Sequence, residues 1–296
     1  MTDRPLLAYF SIACVVSWLA WLPRIATQQG WWGWFVPEWW HYAGAAGPIT
    51  AALFVTYRTE GGEGATELLS QFRMRPAAGW LLFALGSPLV LFAIGAVVAR
   101  GVTGAWPAFA EVAKTQNLPP LGLPLTLVVH VITFGIGEET GWRGFALPRL
   151  QARHDALRAT LLLSVGWGLW HVPSFFGNSG FADFGPVDIV GWFIGLVLGA
   201  IFLTWLYNST RGSLMAIVLW HGLFNALVAS EAAAGLIAAV MTTGIMVLAI
   251  IALIRSGGRN LTGLSRGTGQ RRVARAAAQP GTMGGNSTSY VIQSNE

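Results

Sequence analysis

"LGLPLTLVVHVITF" (121–134) runs straight into "GIGEETGWRG" (135–144), and this join decides how the chain is read. The first stretch is apolar enough to sit in hydrocarbon. The second continues the same helical pattern and carries Glu138, Glu139 and Arg143, with no stop before Pro148. Composition shows that such runs are the rule here. Of 296 residues, 54% are hydrophobic and 10% charged, and mean hydropathy is +0.55. A soluble domain carries roughly 25% charged residues. The sequence therefore predicts an all-α fold, a polytopic membrane helix bundle.

Working outward, a spanning helix needs about 20 mostly apolar residues. Eight runs qualify, at about 6–23, 41–57, 79–99, 121–146, 160–176, 187–207, 214–229 and 232–254. The second and seventh are short, and the last two nearly fuse. The first run lacks a small-x-small cleavage pattern and reads as an anchor, not a removed signal. With both termini cytoplasmic, only Arg24, Arg100 and Lys114 fall outside, and the other fifteen of the 18 basic residues fall inside. Cytoplasmic loops carry such an excess, so the helix count and the orientation support each other. "WWGWFVPEWWH" (31–41) then lies at the outer interface, as tryptophan belts do. The pI near 10.0 is topology in arginine form, not a nucleic-acid surface. Cys14 is the one cysteine, so no intrachain disulfide forms.

Residues 1–255 read as one membrane domain with its motif core at 121–230. Residues 256–296 are rich in Gly, Ser, Thr, Ala and Arg and read as a disordered cytoplasmic tail, its "RRVAR" (271–275) solvated. Gly191, Gly195 and Gly199 share one face of the sixth run, which implies close packing against another helix.

Ionisable groups inside a bilayer are costly and mark function by default. Three clusters qualify: Glu138, Glu139 and Arg143; His171 in "WGLWHVP"; and His221 with Asn225 in "WHGLFN". Counted from the helix ends, Glu138, His171 and His221 lie roughly 13, 16 and 12 Å from the cytoplasmic side at 1.5 Å per residue, so they share a level. Glu139 and Arg143 are four apart and can pair, as can His221 and Asn225 share a face. Glu138 is turned about 100° from Glu139. This assigns Glu139 to Arg143 and leaves Glu138 facing a cavity. His130 and His41 read as packing hydrogen-bonders, and Asp183 and Asp188 as solvated loop residues.

Hydrolysis suits such a set. A carboxylate and an imidazole hold a water and take its proton; an imidazole and an amide donate to an oxyanion. Alternatively Glu138, His171 and His221 supply the three ligands of a catalytic zinc. Spacing alone leaves both versions open.

"EETGWR" (138–143), Trp167 four before His171, and "HGLFN" (221–225) together resemble the CPBP family, the CAAX-prenyl proteases and bacteriocin-processing, Abi-like proteins that include the type II CAAX endopeptidases. The resemblance covers about 121–230; earlier helices agree only in hydropathy. The family's second motif is usually Phe-x-x-x-His, and Trp167 departs from it while keeping an aromatic. The resemblance implies an eight-helix intramembrane endopeptidase of the cell membrane, its site open to the cytoplasm. Glu138 and His171 would activate water, His221 and Asn225 would stabilise the oxyanion, and Glu139, Arg143 and Trp167 would support them. The expected partners are lipid and a membrane-associated peptide, CaaX-type or leader, and not nucleic acid. The expected chemistry needs no cofactor, with zinc as the other version. A catalytically silent relative acting as an immunity or assembly factor, and a proton-coupled transporter, are the competing classes. Retention of every motif residue favours the enzyme, and the lack of internal repeats disfavours the transporter.

Overall fold

The computed structural model describes residues 4–115, 117–177, 181 and 183–262. These are helical, as expected; among them the sole β feature is an isolated bridge between Thr115 and Ser230. Helix α1 is Arg4–Gln28. A 3-10 turn, Glu38–Ala45, leads into α2, Ala46–Ser70. Helix α3, Ala78–Thr103, stops at Gly104, whose φ of 76° gives it the left-handed C-cap that glycine adopts freely. Helix α4 (123–151) is continuous but mixed. Leu123–His130 is α-helical, Val131–Glu138 and Thr140–Ala146 are π-helical, and Leu147–Gln151 is α-helical again. Helix α5, Ala156–His171, is capped by Asp155, which accepts the Arg158 N–H at 2.9 Å. Helices α6, Pro186–Ser209, α7, Leu214–Val228, and α8, Leu236–Asn260, complete the bundle.

Each of the eight apolar runs is thus a helix, with shifted ends. Helix α2 continues to Ser70 through a break at Gly61 (φ 71°). Helix α4 passes Pro148, which occupies the first turn of its last α segment. Helix α5 begins at Ala156 and ends at His171, not near 176. Helix α8 reaches Asn260, with Gly257 out of line at φ 66°, so the first residues assigned to the tail are helical. Residues 263–296 lie outside the described residues. Asp188 is not merely solvated: its carboxylate accepts the Gly185 N–H at 2.9 Å at the start of α6.

Loop contacts sort the helix ends into two groups. At one end, Gln71 donates to the Gly144 carbonyl and accepts from the Tyr207 hydroxyl, Ser213 donates to Met74, and Asn208 donates to Asn260. At the other, Gln29 donates to Phe176 and the Glu231 N–H donates to Lys114. Helices α1, α3, α6 and α8 are long and apolar enough to cross a membrane. Only 22–33% of their apolar windows are buried inside the molecule. Leu19, Val97, Val187 and Ile254 face outward. Apolar surface left open along four such helices needs hydrocarbon around it, and the protein is a multi-pass membrane protein.

Helix α4 sits at the centre, held by its neighbours' backbones. A Cβ on Gly135 would come within 2.6 Å of the Val218 carbonyl oxygen in α7. One on Gly137 would come within 2.8 Å of the Ala45 carbonyl oxygen, and one on Gly141 within 2.7 Å of that of Pro48. From the other side, a Cβ on Gly222 of α7 would meet Val131 Cα at 2.6 Å. The glycines of "GIGEETGWRG" therefore let α2 and α7 clamp the motif helix. The expectation for Gly191, Gly195 and Gly199 is not met. Nothing lies within 4 Å of a Cβ on Gly191 or Gly199, and Gly195 meets only the flexible tip of Met246. The small stripe on α6 is not a close-packing face.

Candidate active site

The two adjacent glutamates leave α4 toward different partners. Glu139, with no exposed surface, accepts on Oε1 from Arg143 Nη1 at 2.8 Å and from His221 Nδ1 at 2.6 Å. Arg143 is equally buried, and its guanidinium carbon stands 4.5 Å from the centre of the Trp167 ring, a cation–π contact. The pairing with Arg143 is the one that four-residue spacing predicts. The link to His221 was not legible in the sequence, and it makes Glu139 the orienting partner of that imidazole.

Glu138 has a separate set of contacts. Its Oε2 accepts from Trp142 Nε1 at 3.2 Å and from Trp167 Nε1 at 3.0 Å. Its Oε1 makes no hydrogen bond among the described residues, yet it is not one of the sealed, unpartnered atoms. Glu138 thus keeps one oxygen committed and one available.

His171 terminates α5, and its Nδ1 is 2.8 Å from the Trp167 carbonyl oxygen. A carbonyl only accepts, so Nδ1 donates and Nε2 carries the lone pair. His221 is oriented by its Nδ1 bond to Glu139, which leaves its Nε2 outward. The Trp167 ring neighbours both, with centroids 5.9 Å from His171 and 6.0 Å from His221. Asn225 is half-buried one turn from His221 on a regular α-helix, and its side chain makes no hydrogen bond among the described residues. Helices α4, α5 and α7 thus bring Glu138, His171 and His221 around one indole, with Glu139 bonded to His221. The depth arithmetic behind that expectation rested on displaced ends: His171 is fifteen residues from the start of α5, about 22 Å at 1.5 Å per residue.

Two contributors were missed in the sequence. Trp142 lies inside the motif itself, one helical turn from Glu138, and that spacing was its only signal. Tyr9 of α1 is fully buried, stacks on Phe145 at 4.8 Å and meets Trp142 edge-on at 5.7 Å. Its hydroxyl has no partner among the described residues, and neither do Glu139 Oε2 or Arg143 Nε and Nη2. His130 and His41 are satisfied locally, donating to the Thr126 and Glu38 carbonyls, each at 2.8 Å.

The zinc version can be tested against this donor set. Among the described residues no three His, Cys, Asp or Glu side chains are grouped as a metal requires. As placed, Glu138, His171 and His221 are not drawn together into such a group.

Residues 120–227 match the family model described as type II CAAX prenyl endopeptidase, Rce1-like. A stretch of 105 residues is 31% identical to the CAAX prenyl protease 2 of Methanococcus maripaludis, covering 34% of this chain and 38% of that protein. The chain thus spans about two-fifths of the length of that curated relative. Glu138, His171, His221 and Asn225 all fall inside the matched segment; Tyr9 falls outside it.

Proposed function

We propose that this chain, whose residues 120–227 match the family model described as type II CAAX prenyl endopeptidase, Rce1-like, is an intramembrane endopeptidase using a water held by Glu138 and His171. The observation that carries this reading is the arrangement of free atoms around Trp167: Oε1 of Glu138 and the Nε2 atoms of His171 and His221.

In this reading, the water gives a proton to Glu138 Oε1 while His171 Nε2 accepts its second hydrogen bond and orients it. The water's lone pair attacks the scissile carbonyl carbon, and the carbonyl π pair moves onto oxygen. His221, carrying a proton on Nε2, and the Asn225 amide donate to that oxyanion. A carboxylate on Nδ1 fixes the ring and offsets its positive charge, which is the part Glu139 plays. Collapse of the intermediate expels the amine, which takes the proton from Glu138. No step needs a metal. The substrate class is a membrane-associated peptide that reaches the site from the cytoplasmic side, CaaX-type or leader.

The test is cleavage by the purified protein in detergent, followed by mass spectrometry of new peptide termini and of what Glu138→Ala retains. The expected result is a set of membrane-associated peptides cut by the natural chain, retained uncut by Glu138→Ala, at a rate indifferent to chelators. Loss of cleavage on chelation with recovery on added zinc would overturn the water-only chemistry. Absence of any cleaved peptide would overturn the endopeptidase reading.

A further inference from the structure

Among the groups around the site, the two indoles on Glu138 have no assigned task. A buried indole N–H needs an acceptor, and Trp142 and Trp167 are 0% and 6% exposed. They come from different helices, α4 and α5, yet both donate to the same oxygen, Oε2, at 3.2 and 3.0 Å. Satisfying two indoles did not require this. Spread over both oxygens, the same bonds would have left neither free.

We propose that Trp142 and Trp167 form an indole clamp on Oε2 of Glu138, which fixes the carboxylate and reserves Oε1 for the reacting water. The proposal rests on the endopeptidase reading for what Oε1 does, and on the two bonds alone for the clamp itself. A carboxylate with one free torsion near its head would otherwise exchange its two oxygens by rotation. Two N–H donors on one of them oppose that rotation. Trp167 is held in turn: Arg143 lies over its face at 4.5 Å, its backbone carbonyl accepts from His171 at 2.8 Å, and its ring borders His221. One residue thereby sets the relative placement of the base and both imidazoles. Trp142 is locked by Tyr9 edge-on at 5.7 Å and by Trp170 at 5.8 Å. These are positioning residues, since neither indole N–H is placed to touch substrate.

The experiment compares Trp167→Phe and Trp142→Phe, which keep a ring and lose the N–H, using two readouts. For turnover, each single variant should lower kcat about tenfold, the worth of one charge-assisted hydrogen bond, with KM within about twofold. The second readout does not use activity. In protein labelled with 15N-tryptophan, indole N–H protons bonded to a carboxylate resonate downfield, and the two Phe variants identify the two signals among 15 tryptophans. Glu138→Gln, which replaces the anion with a weaker amide acceptor, should move those two signals upfield and leave the others in place. Indole signals that ignore Glu138→Gln, or Phe variants with natural kcat, would overturn the clamp. A natural chain that cleaves nothing while the two signals still respond would sustain the clamp and remove only the endopeptidase reading.

Discussion

At the scale of single residues, two neighbouring glutamates have distinct environments, and their variants should separate accordingly. Glu138→Gln keeps an oxygen for the two indoles, so fold and thermal stability should stay nearly natural while turnover is lost. Glu139→Gln leaves Arg143 buried beside an amide and takes the carboxylate from His221. Breaking a buried pair costs about 3–5 kcal/mol, so this variant should melt well below Glu138→Gln and turn over slowly as well. Thermal denaturation in detergent, run alongside turnover, measures both; equal stability losses would contradict the division of labour. Asn225→Ala should lower kcat by about 10² to 10³ with little change in KM, as loss of one oxyanion donor does, and a natural kcat would remove Asn225 from the site. The pairing of Glu139 with Arg143 was legible because residues four apart on a helix face each other. The Trp167 bond and Tyr9 were not, because a hydrogen bond between helices and a buried hydroxyl from α1 leave no mark on spacing; the Trp142 bond left only its four-residue interval from Glu138.

At the scale of elements, the sequence showed where helices lie but not their kind. Hydropathy marks a run as apolar and cannot distinguish an i→i+4 ladder from an i→i+5 ladder, so the π-helical middle of α4 was invisible. Such segments concentrate at functional sites, and here two of them carry Glu138 and Arg143. The four glycines at 135, 137, 141 and 144 were visible, but their meaning depends on which backbone stands opposite, which only the fold supplies. The same holds for the stripe on α6, where spacing suggested a packing face and the space opposite is open. This contrast gives a prediction. Gly222→Ala drives a Cβ into Val131 at 2.6 Å, against backbone that cannot swing aside. It should cost about 1–3 kcal/mol through overpacking and should also slow turnover, because Val131 begins the π segment that ends at Glu138. Gly199→Ala meets nothing within 4 Å and should be neutral or stabilising by up to about 1 kcal/mol, the helix-propensity gain of alanine over glycine. Melting temperatures of the two variants check the pair; a matched response would mean that close approach does not set the role of Gly222.

At the scale of the whole molecule, eight crossing helices would alternate in direction, and two independent sets of observations divide their ends alike. Hydrogen bonds gather the segments around Gln71, Met74, Asn208, Ser213 and Asn260 at one end, and Gln29, Lys114, Phe176 and Glu231 at the other. The first group is flanked by Arg73, Arg75, Arg211 and Arg259, while the second end holds Arg24, Arg100 and Lys114. A basic excess belongs on the cytoplasmic side, which predicts that the Gln71 end, toward which α4 carries Gly144 past Glu138, faces the cytoplasm. Four helices are long enough to establish the membrane setting; the shorter ones complete the alternation only if they also cross. Reporter fusions after Lys114 and after Arg275 should therefore report opposite sides, Arg275 in the cytoplasm. The decisive additional fusion is at Arg153, between α4 and α5. It should report with Arg275 if α4 crosses as a mixed π and α rod, and with Lys114 if α4 enters and returns. The second result would place Glu138 under the outer surface and reverse the route by which a peptide reaches it.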